Sequence, residues 1–368
     1  MPELAIRGPD VPQEPHASIV ILVQDRMHLL LRCLDSLARL EPVPRPEVVV
    51  VANGTEASLL RSLRNRDELV LVPSAVNLGF AAGCNWGARF ARGRYLVLLN
   101  DDTEVKPGWL RSLVSVAESD ARIGAVGSRL LNLDGSLQEA GSLLWRDAGT
   151  YQIVDRYPAE AARGMAVRDV DYCSACGLLV KREAWDVVGG FDEAYFPAYH
   201  EDVDLSLSLR AHGYRTVYAP DARVVHHRGS STADEIAAFA AARNGRYLLA
   251  KWAPVLSDYE LPPLPGKVES AVTAGLRRSE SRALPTISAT GHKAAAQPAP
   301  AEADALRVQA RALWAAQTLR EEYDAWVAGG RRWPGSHGSM RDRLRRLVWR
   351  LPGGRGATRW VRHRLTRG

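Results

Sequence analysis

The sequence predicts an α/β fold: a mixed, mainly parallel sheet flanked by helices, followed by a C-terminal linker and a helical basic tail. Three observations carry this. Between Ser18 and about Val72, short β-branched runs alternate with stretches of helical period, the order of a parallel sheet covered by helices. Within them the apolar residues follow one another without a polar break, as in strands buried on both faces. The chain has 368 residues and is 46% hydrophobic, ample for a sizeable core with extra elements around it.

The first strand is SIVILV, 18–23, and the helix after it places Met27, Leu30, Leu31, Leu34 and Leu37 at intervals of three and four. EVVVVA, 47–52, and LVLV, 69–72, are the second and third strands. An Asn-Leu-Gly turn opens NLGFAAGCNWGARFARG, 77–93, a helix rich enough in small residues to let backbone approach something closely. YLVLL, 95–99, is the fourth strand, and Pro107 sits where the next helix, PGWLRSLVSVAES, starts. The pattern then changes to IGAVGSRLL, a turn at Asp134-Gly135 and a strand in VDYCSACGLLVKR, which indicates a mixed sheet. A helix from about Glu201 to His212, the strand YRTVYA and a helix over 236–253 complete a domain over 17–254. Residues 1–16 read as an N-terminal tail, 255–302 as a Pro/Ala-rich flexible linker, and 303–368 as a helical, Arg-rich C-terminal region.

No apolar window has the length of a membrane span and no basic-then-apolar leader opens the chain, so a cytosolic protein is expected. Four scattered cysteines suit a reducing compartment, and the Cys173–Cys176 pair has no second pair to complete a zinc site. The net charge of +6 is uneven: residues 331–368 hold twelve arginines against Asp342 alone, which leaves the remainder mildly acidic. Leu344, Leu347, Val348 and Leu351 form an apolar stripe among those arginines, with Trp349 and Trp360 nearby. That combination suits an anionic membrane surface better than nucleic acid; a solvated or protein-binding tail is the other reading.

Ligands in open α/β sheets collect beyond the carboxyl ends of the strands, where Asn100, Asp101 and Asp102 fall. Two adjacent carboxylates suit a divalent cation bridging a diphosphate, or equally a turn that caps the following helix. Glu201, Asp202 and Asp204 cluster at a helix start, where the helix dipole favours acids and where one carboxylate could serve as a general base. His226 and His227 end a strand, and one imidazole could complete a metal shell begun by an aspartate.

In their order and spacing, ASIVILVQDR, VVVVANGT, NLGFAAGCNWG, YLVLLNDDTEV, GGFDEAYF, YHEDVDLSLSLRAHGY and ARVVHHRGSS resemble family 2 glycosyltransferases. The resemblance covers roughly residues 17–253 and is greatest to the bacterial branch that builds O-antigen and other surface polysaccharides, including rhamnosyltransferases. It implies the Rossmann-like GT-A fold and an inverting transfer from a UDP- or dTDP-sugar, with Mg²⁺ or Mn²⁺, to a glycan or polyprenyl-linked acceptor. It further implies that NDD is the DXD-type motif, with Asp102 and His226 as metal ligands and Asp101 as a donor contact. Asp202 would be the catalytic base, with Glu201 beside it. Asn53, Asn77, Gly79 and Asn85 would contact the nucleoside side of the donor, and Arg243 would approach its diphosphate. A peripheral position on the inner face of the cell membrane follows from the tail.

Two departures stand out. The family commonly has an acid that reads the base where this chain has Ala52, followed by Asn53, and an aromatic-Asn pair where this chain has Gln24 and Asp25. The loss of that acid keeps a second reading open, a catalytically silent nucleotide-sugar-binding or scaffold protein of the same fold.

Overall fold

Alternate side chains of a strand point to opposite faces, so an unbroken apolar run requires both faces of the sheet to be covered. The computed structural model describes residues 4–40, 45–157, 160, 164–227, 234–285 and 299–328. Its first half comprises β1 (Ile6–Arg7), β2 (Ala17–Val23), α1 (Met27–Ala38), β3 (Glu47–Asn53), α2 (Ala57–Arg64), β4 (Leu69–Ser74), α3 (Gly79–Ala88) and β5 (Tyr95–Asn100). β4, β3, β2 and β5 run parallel in that spatial order. Val23 pairs with Ala52 and Leu22 with Asn100, so the carboxyl ends of β2, β3 and β5 share one edge. Ile19, Ile21, Val50, Val97 and Leu99 face Leu30, Leu34 and Leu37 of α1, whereas Val20, Val51, Leu96 and Leu98 face the side covered by α3. What the small residues of α3 approach is this sheet: a Cβ at Gly87 would lie 2.7 Å from Val20 Cγ1 and 2.8 Å from Val51 Cγ2.

The second half comprises β6 (Thr103–Val105), α4 (Trp109–Glu118), β7 (Ile123–Leu131), β8 (Leu137–Glu139), β9 (Ser142–Leu144), β10 (Thr150–Gln152), β11 (Arg168–Asp169), β12 (Gly177–Lys181), α5 (Arg182–Val188), α6 (Glu201–Ala211), β13 (Arg215–His226) and α7 (Asp234–Leu256). β12 lies antiparallel between β5 and β7, and β13 runs parallel to β7. Among the described residues the sheet has eleven strands, ordered β1-β4-β3-β2-β5-β12-β7-β13-β11, with β6 on β13 and β8 on β7. The strand expected in VDYCSACGLLVKR begins only at Gly177, because the N–H groups of Ser174 and Ala175 donate to carboxylates instead of to a ladder.

Two boundaries are corrected. Residues 4–16 are not a free tail: β1 pairs with β4, Val11 is buried, and Arg7 bonds the buried Glu47 at 2.7 Å. Nor is 255–302 a flexible linker throughout, since it contains α8 (Val268–Ser281), whose Val272 and Leu276 are fully buried. Arg278 of that helix grips Asp171 through two bonds of 2.6 and 2.7 Å. α9 (Glu302–Ala328) returns onto the domain, packing Leu319 and Tyr323 with Phe196 and Phe239. Residues 286–298 and the basic segment 331–368 lie outside the described residues. No helix among the described residues is long and apolar enough to cross a membrane.

Candidate active site

β5 ends at Asn100, the chain turns through Asp101 and Asp102, and β6 then zips antiparallel onto the end of β13. This register sets Thr103 opposite His226 and so carries His226 to the neighbouring aspartate. His226 Nε2 lies 3.2 Å from Asp102 Oδ1, and both side chains are largely shielded from water. His227 instead bonds Glu104 at 2.8 Å and donates its backbone N–H to the Asp102 carbonyl. The paired histidines thus divide into one at the site and one that ties β6 to β13.

Arg26, just past β2, bridges the two acids, with Nη2 2.9 Å from Asp101 Oδ1 and Nη1 3.1 Å from Asp102 Oδ2. Burial pushes Asp101 up to about 7, against the opposing charge of Arg26. Burial acts the same way on Asp102, but the hydrogen bonds and charges of His226 and Arg26 outweigh it and hold this carboxyl below its ordinary range. Asp102 is therefore an anion at neutral pH.

These residues fit a divalent cation. Adjacent donors around an octahedral Mg²⁺ or Mn²⁺ stand about 3 Å apart, given metal–oxygen distances of about 2.1 Å, close to the Asp102–His226 separation. No cluster of three or more His, Cys, Asp or Glu side chains forms a closed cage among the described residues. Two protein donors would leave the other positions to phosphate oxygens and water, as hard cations in nucleotide sites prefer.

The second acidic cluster reaches the same edge through a turn. Cys176 accepts the Asn100 N–H, and the adjacent Ala175 N–H donates to Asp202 Oδ2 at 3.3 Å. Asp202 Oδ1 accepts the Val203 N–H in the first turn of α6. Burial lifts Asp202 to about 6 despite these donors. Burial and the charge of Asp202 push Glu201 well above its ordinary carboxyl value. Asp204 is structural: it accepts from Trp252 Nε1 at 2.7 Å and Tyr195 Oη at 3.1 Å, and pairs with Lys251.

A cleft of about 150 Å³ opens beside Asp101, walled by that residue and by Gln24, Arg26, Asn53, Asn77 and Gly79. Asn53 Oδ1 accepts the Leu78 N–H at 2.7 Å, and its Nδ2 donates to Asn77 Oδ1 and the Gly79 carbonyl. Its amide therefore builds the wall of the cleft. Gly79 holds φ +75°, and a Cβ there would lie 2.7 Å from Phe196 Cδ2. Asn85 and Arg243 are not brought to this cleft. Asn85 exchanges hydrogen bonds with the backbone of Phe191, and Arg243 bonds Glu322 of α9 at 2.5 Å and the Ala194 carbonyl.

Sequence reasoning passed over three residues here. Arg26 was legible as the first base beyond a strand whose neighbour ends in two acids. Gln138, 2.9 Å from His226 Nδ1, and Glu139, which accepts the Ser174 N–H and is pushed to about 7 by burial, lie in a turn-rich passage without a motif.

Residues 15–247 match the family described as Glycosyltransferase like family 2, to which the chain belongs, so fold and family together make it a glycosyltransferase. An N-acetylglucosaminyl-diphospho-decaprenol L-rhamnosyltransferase of Mycobacterium tuberculosis is 30% identical over 57% of this chain and 74% of its own length. The O-antigen biosynthesis protein RfbC of Myxococcus xanthus is 32% identical over 59% of this chain and 18% of its own length. The uncharacterized protein y4gI of Sinorhizobium fredii is 32% identical over 60% and 25%. This chain thus spans a quarter or less of the latter two relatives. GalNAc-T7, crystallised with UDP, GalNAc and Mn²⁺, shares the GT-A fold at a TM-score of 0.54 and 16% identity, over 67% of this chain and 50% of that one.

Proposed function

We propose that the chain is an inverting, metal-dependent glycosyltransferase. It moves a sugar from a UDP- or dTDP-sugar to a hydroxyl of a glycan or polyprenyl-linked acceptor in bacterial surface-polysaccharide synthesis. The observation that carries this reading is the convergence, through the 174–176 turn, of a carboxyl poised to take a proton, Asp202, with two donors suited to a cation, Asp102 and His226. The polysaccharide setting is supported by the printed names of the rhamnosyltransferase and O-antigen relatives.

The walls built by Asn53, Asn77 and Gly79 receive the nucleoside. Arg26 offsets the paired acids and can turn its guanidinium to the diphosphate, whose planar recognition by arginine is favourable. Asp102 and His226 would hold Mg²⁺ or Mn²⁺, which supplies positive charge to the leaving diphosphate. Asp202 takes the proton of the acceptor hydroxyl as its oxygen bonds to the anomeric carbon and the bond to the diphosphate breaks. One displacement of this kind inverts the configuration.

A thermal-shift panel of nucleoside diphosphates tests the cation and donor together. UDP or dTDP is expected to raise the melting temperature with Mn²⁺ present and much less without it, and Asp102→Asn is expected to remove the Mn²⁺-dependent part. A shift that ignores both Mn²⁺ and Asp102 would refute the metal assignment.

The basic segment 331–368 is proposed to hold the chain on an anionic membrane on the cytoplasmic side. Its deletion is expected to move the protein from pellet to supernatant when sedimented with vesicles rich in anionic lipid. Equal sedimentation of both forms would count against the tail as an anchor.

A further inference from the structure

β8 carries a side chain that the chemistry above does not use. Gln138 is buried, and its Nε2 lies 2.9 Å from His226 Nδ1. Its Oε1 is shut away from water with no hydrogen-bond partner among the described residues. A buried amide with one end orphaned is costly, and an apolar side chain of equal size would fill the space without that cost. The other ring nitrogen of His226, Nε2, faces Asp102 Oδ1 at 3.2 Å.

A neutral imidazole carries one proton, and the hydrogen bond at one nitrogen decides what the other can do. With the Gln138 N–H directed at Nδ1, the ring proton sits on Nε2, the nitrogen 3.2 Å from Asp102 Oδ1, so Nε2 has no lone pair to give a cation. A half-turn of the amide keeps the same outline and puts the orphaned carbonyl on Nδ1. The ring then protonates at Nδ1 from water and loses the Nε2 proton to water, with no change in charge, and the Nε2 lone pair opens beside Asp102.

We propose that Gln138 is a positioning residue whose amide sets the tautomer of His226 and thereby governs divalent-cation binding at the Asp102–His226 pair. This rests on the cation site proposed above. Partners of the second ring nitrogen of metal-bound histidines fix ring and tautomer in this way, and their loss commonly weakens metal binding 10- to 100-fold.

The test uses the full chain titrated with Mn²⁺, alone and with UDP, free Mn²⁺ being read from its electron paramagnetic resonance signal. Gln138→Met is expected to weaken Mn²⁺ binding by about 10- to 100-fold. Gln138→Glu is expected to keep or tighten it, because a carboxylate can only accept from Nδ1–H. Equal affinity in wild type and Gln138→Met overturns the proposal while leaving the cation site standing if Asp102→Asn loses Mn²⁺. Gln138→Glu as weak as Gln138→Met also overturns it, since an acceptor of the same shape at Nδ1 would then fail to support the cation. Mn²⁺ binding that survives Asp102→Asn, or none in wild type with or without UDP, sinks the site and the proposal together. A readout on the wild-type chain itself is the ¹⁵N spectrum of the histidine-labelled protein, with His226 assigned by its loss in His226→Gln. Adding Mg²⁺ and UDP should move the ring proton from Nε2 to Nδ1, and a proton on the same nitrogen in both states overturns the tautomer switch.

Discussion

Asp202→Asn is expected to lower sugar transfer and donor hydrolysis by about a thousandfold, within the range for loss of a general base, while the Mn²⁺-dependent thermal shift by nucleoside diphosphate persists. The substitution keeps the shape of the side chain and an acceptor for the Ala175 N–H but removes the carboxylate proposed to take the proton. Wild-type kcat/KM should fall as pH drops through about 6, the value to which burial lifts Asp202, because the base works only as the carboxylate. The same shift has a consequence for stability. A carboxyl whose pKa is higher in the folded than in the unfolded chain is stabilising at low pH and loses that contribution as pH rises through the folded value. Ionisation of Asp202 above about pH 6 therefore costs the fold, and the Asn variant should melt no lower than wild type at pH 8. Loss of turnover with retained binding separates the transferase from a silent nucleotide-sugar-binding scaffold. Undiminished turnover in Asp202→Asn would remove this residue from the mechanism.

The pattern of the chain showed the fold wherever burial imposes a period. The centres of β2, β3 and β5 are unbroken apolar runs because α1 and α3 cover opposite faces, and the α1 leucines recur because only one side of that helix meets the sheet. Asp102, Asp202 and His226 are singled out by the resemblance of their motifs to the family, since acids at turns and helix starts also have structural uses as caps and dipole partners. What joins them is register, which composition does not encode. The pairing of β6 with β13 puts His226 beside Asp102, and the bonds of the 174–176 turn bring Asp202 to Asn100. Arg243 shows the reverse failure: its pairing partner, Glu322, comes from a helix 79 positions later that no local signal connects to it. The segment 255–285 was misjudged for a different reason. Val268, Val272 and Leu276 lie four apart, but the stripe is one residue wide and is set among Arg, Ser and Pro-rich flanks, so its period is weak against that composition.

That misjudged segment has the largest expected effect on stability, and a chain ended after Pro254 should not fold as the full chain does. Leu256, Tyr259, Val272 and Leu276, all essentially inaccessible, would be lost from the packing around Leu143, Leu144 and Trp145. The more specific loss is electrostatic. The Asp171 carboxylate has no exposure and accepts the Leu144 N–H at 2.9 Å, and Arg278 is the cation that meets both of its oxygens while stacking 4.0 Å from the Tyr259 ring centroid. Removing one partner of a buried ion pair strands the other and costs about 3–5 kcal/mol, a large share of a total stability of roughly 5–15 kcal/mol. Arg278→Ala in the full chain should therefore lower the urea midpoint markedly. Arg278→Lys should recover only part of it, because an ammonium cannot meet both oxygens in a fork. Arg278→Ala paired with Asp171→Asn should be less destabilised than Arg278→Ala alone, since the stranded charge is then gone. A 1–254 chain that unfolds at the urea concentration of the full chain would show that α8 is dispensable and return the segment to the linker first read from its composition.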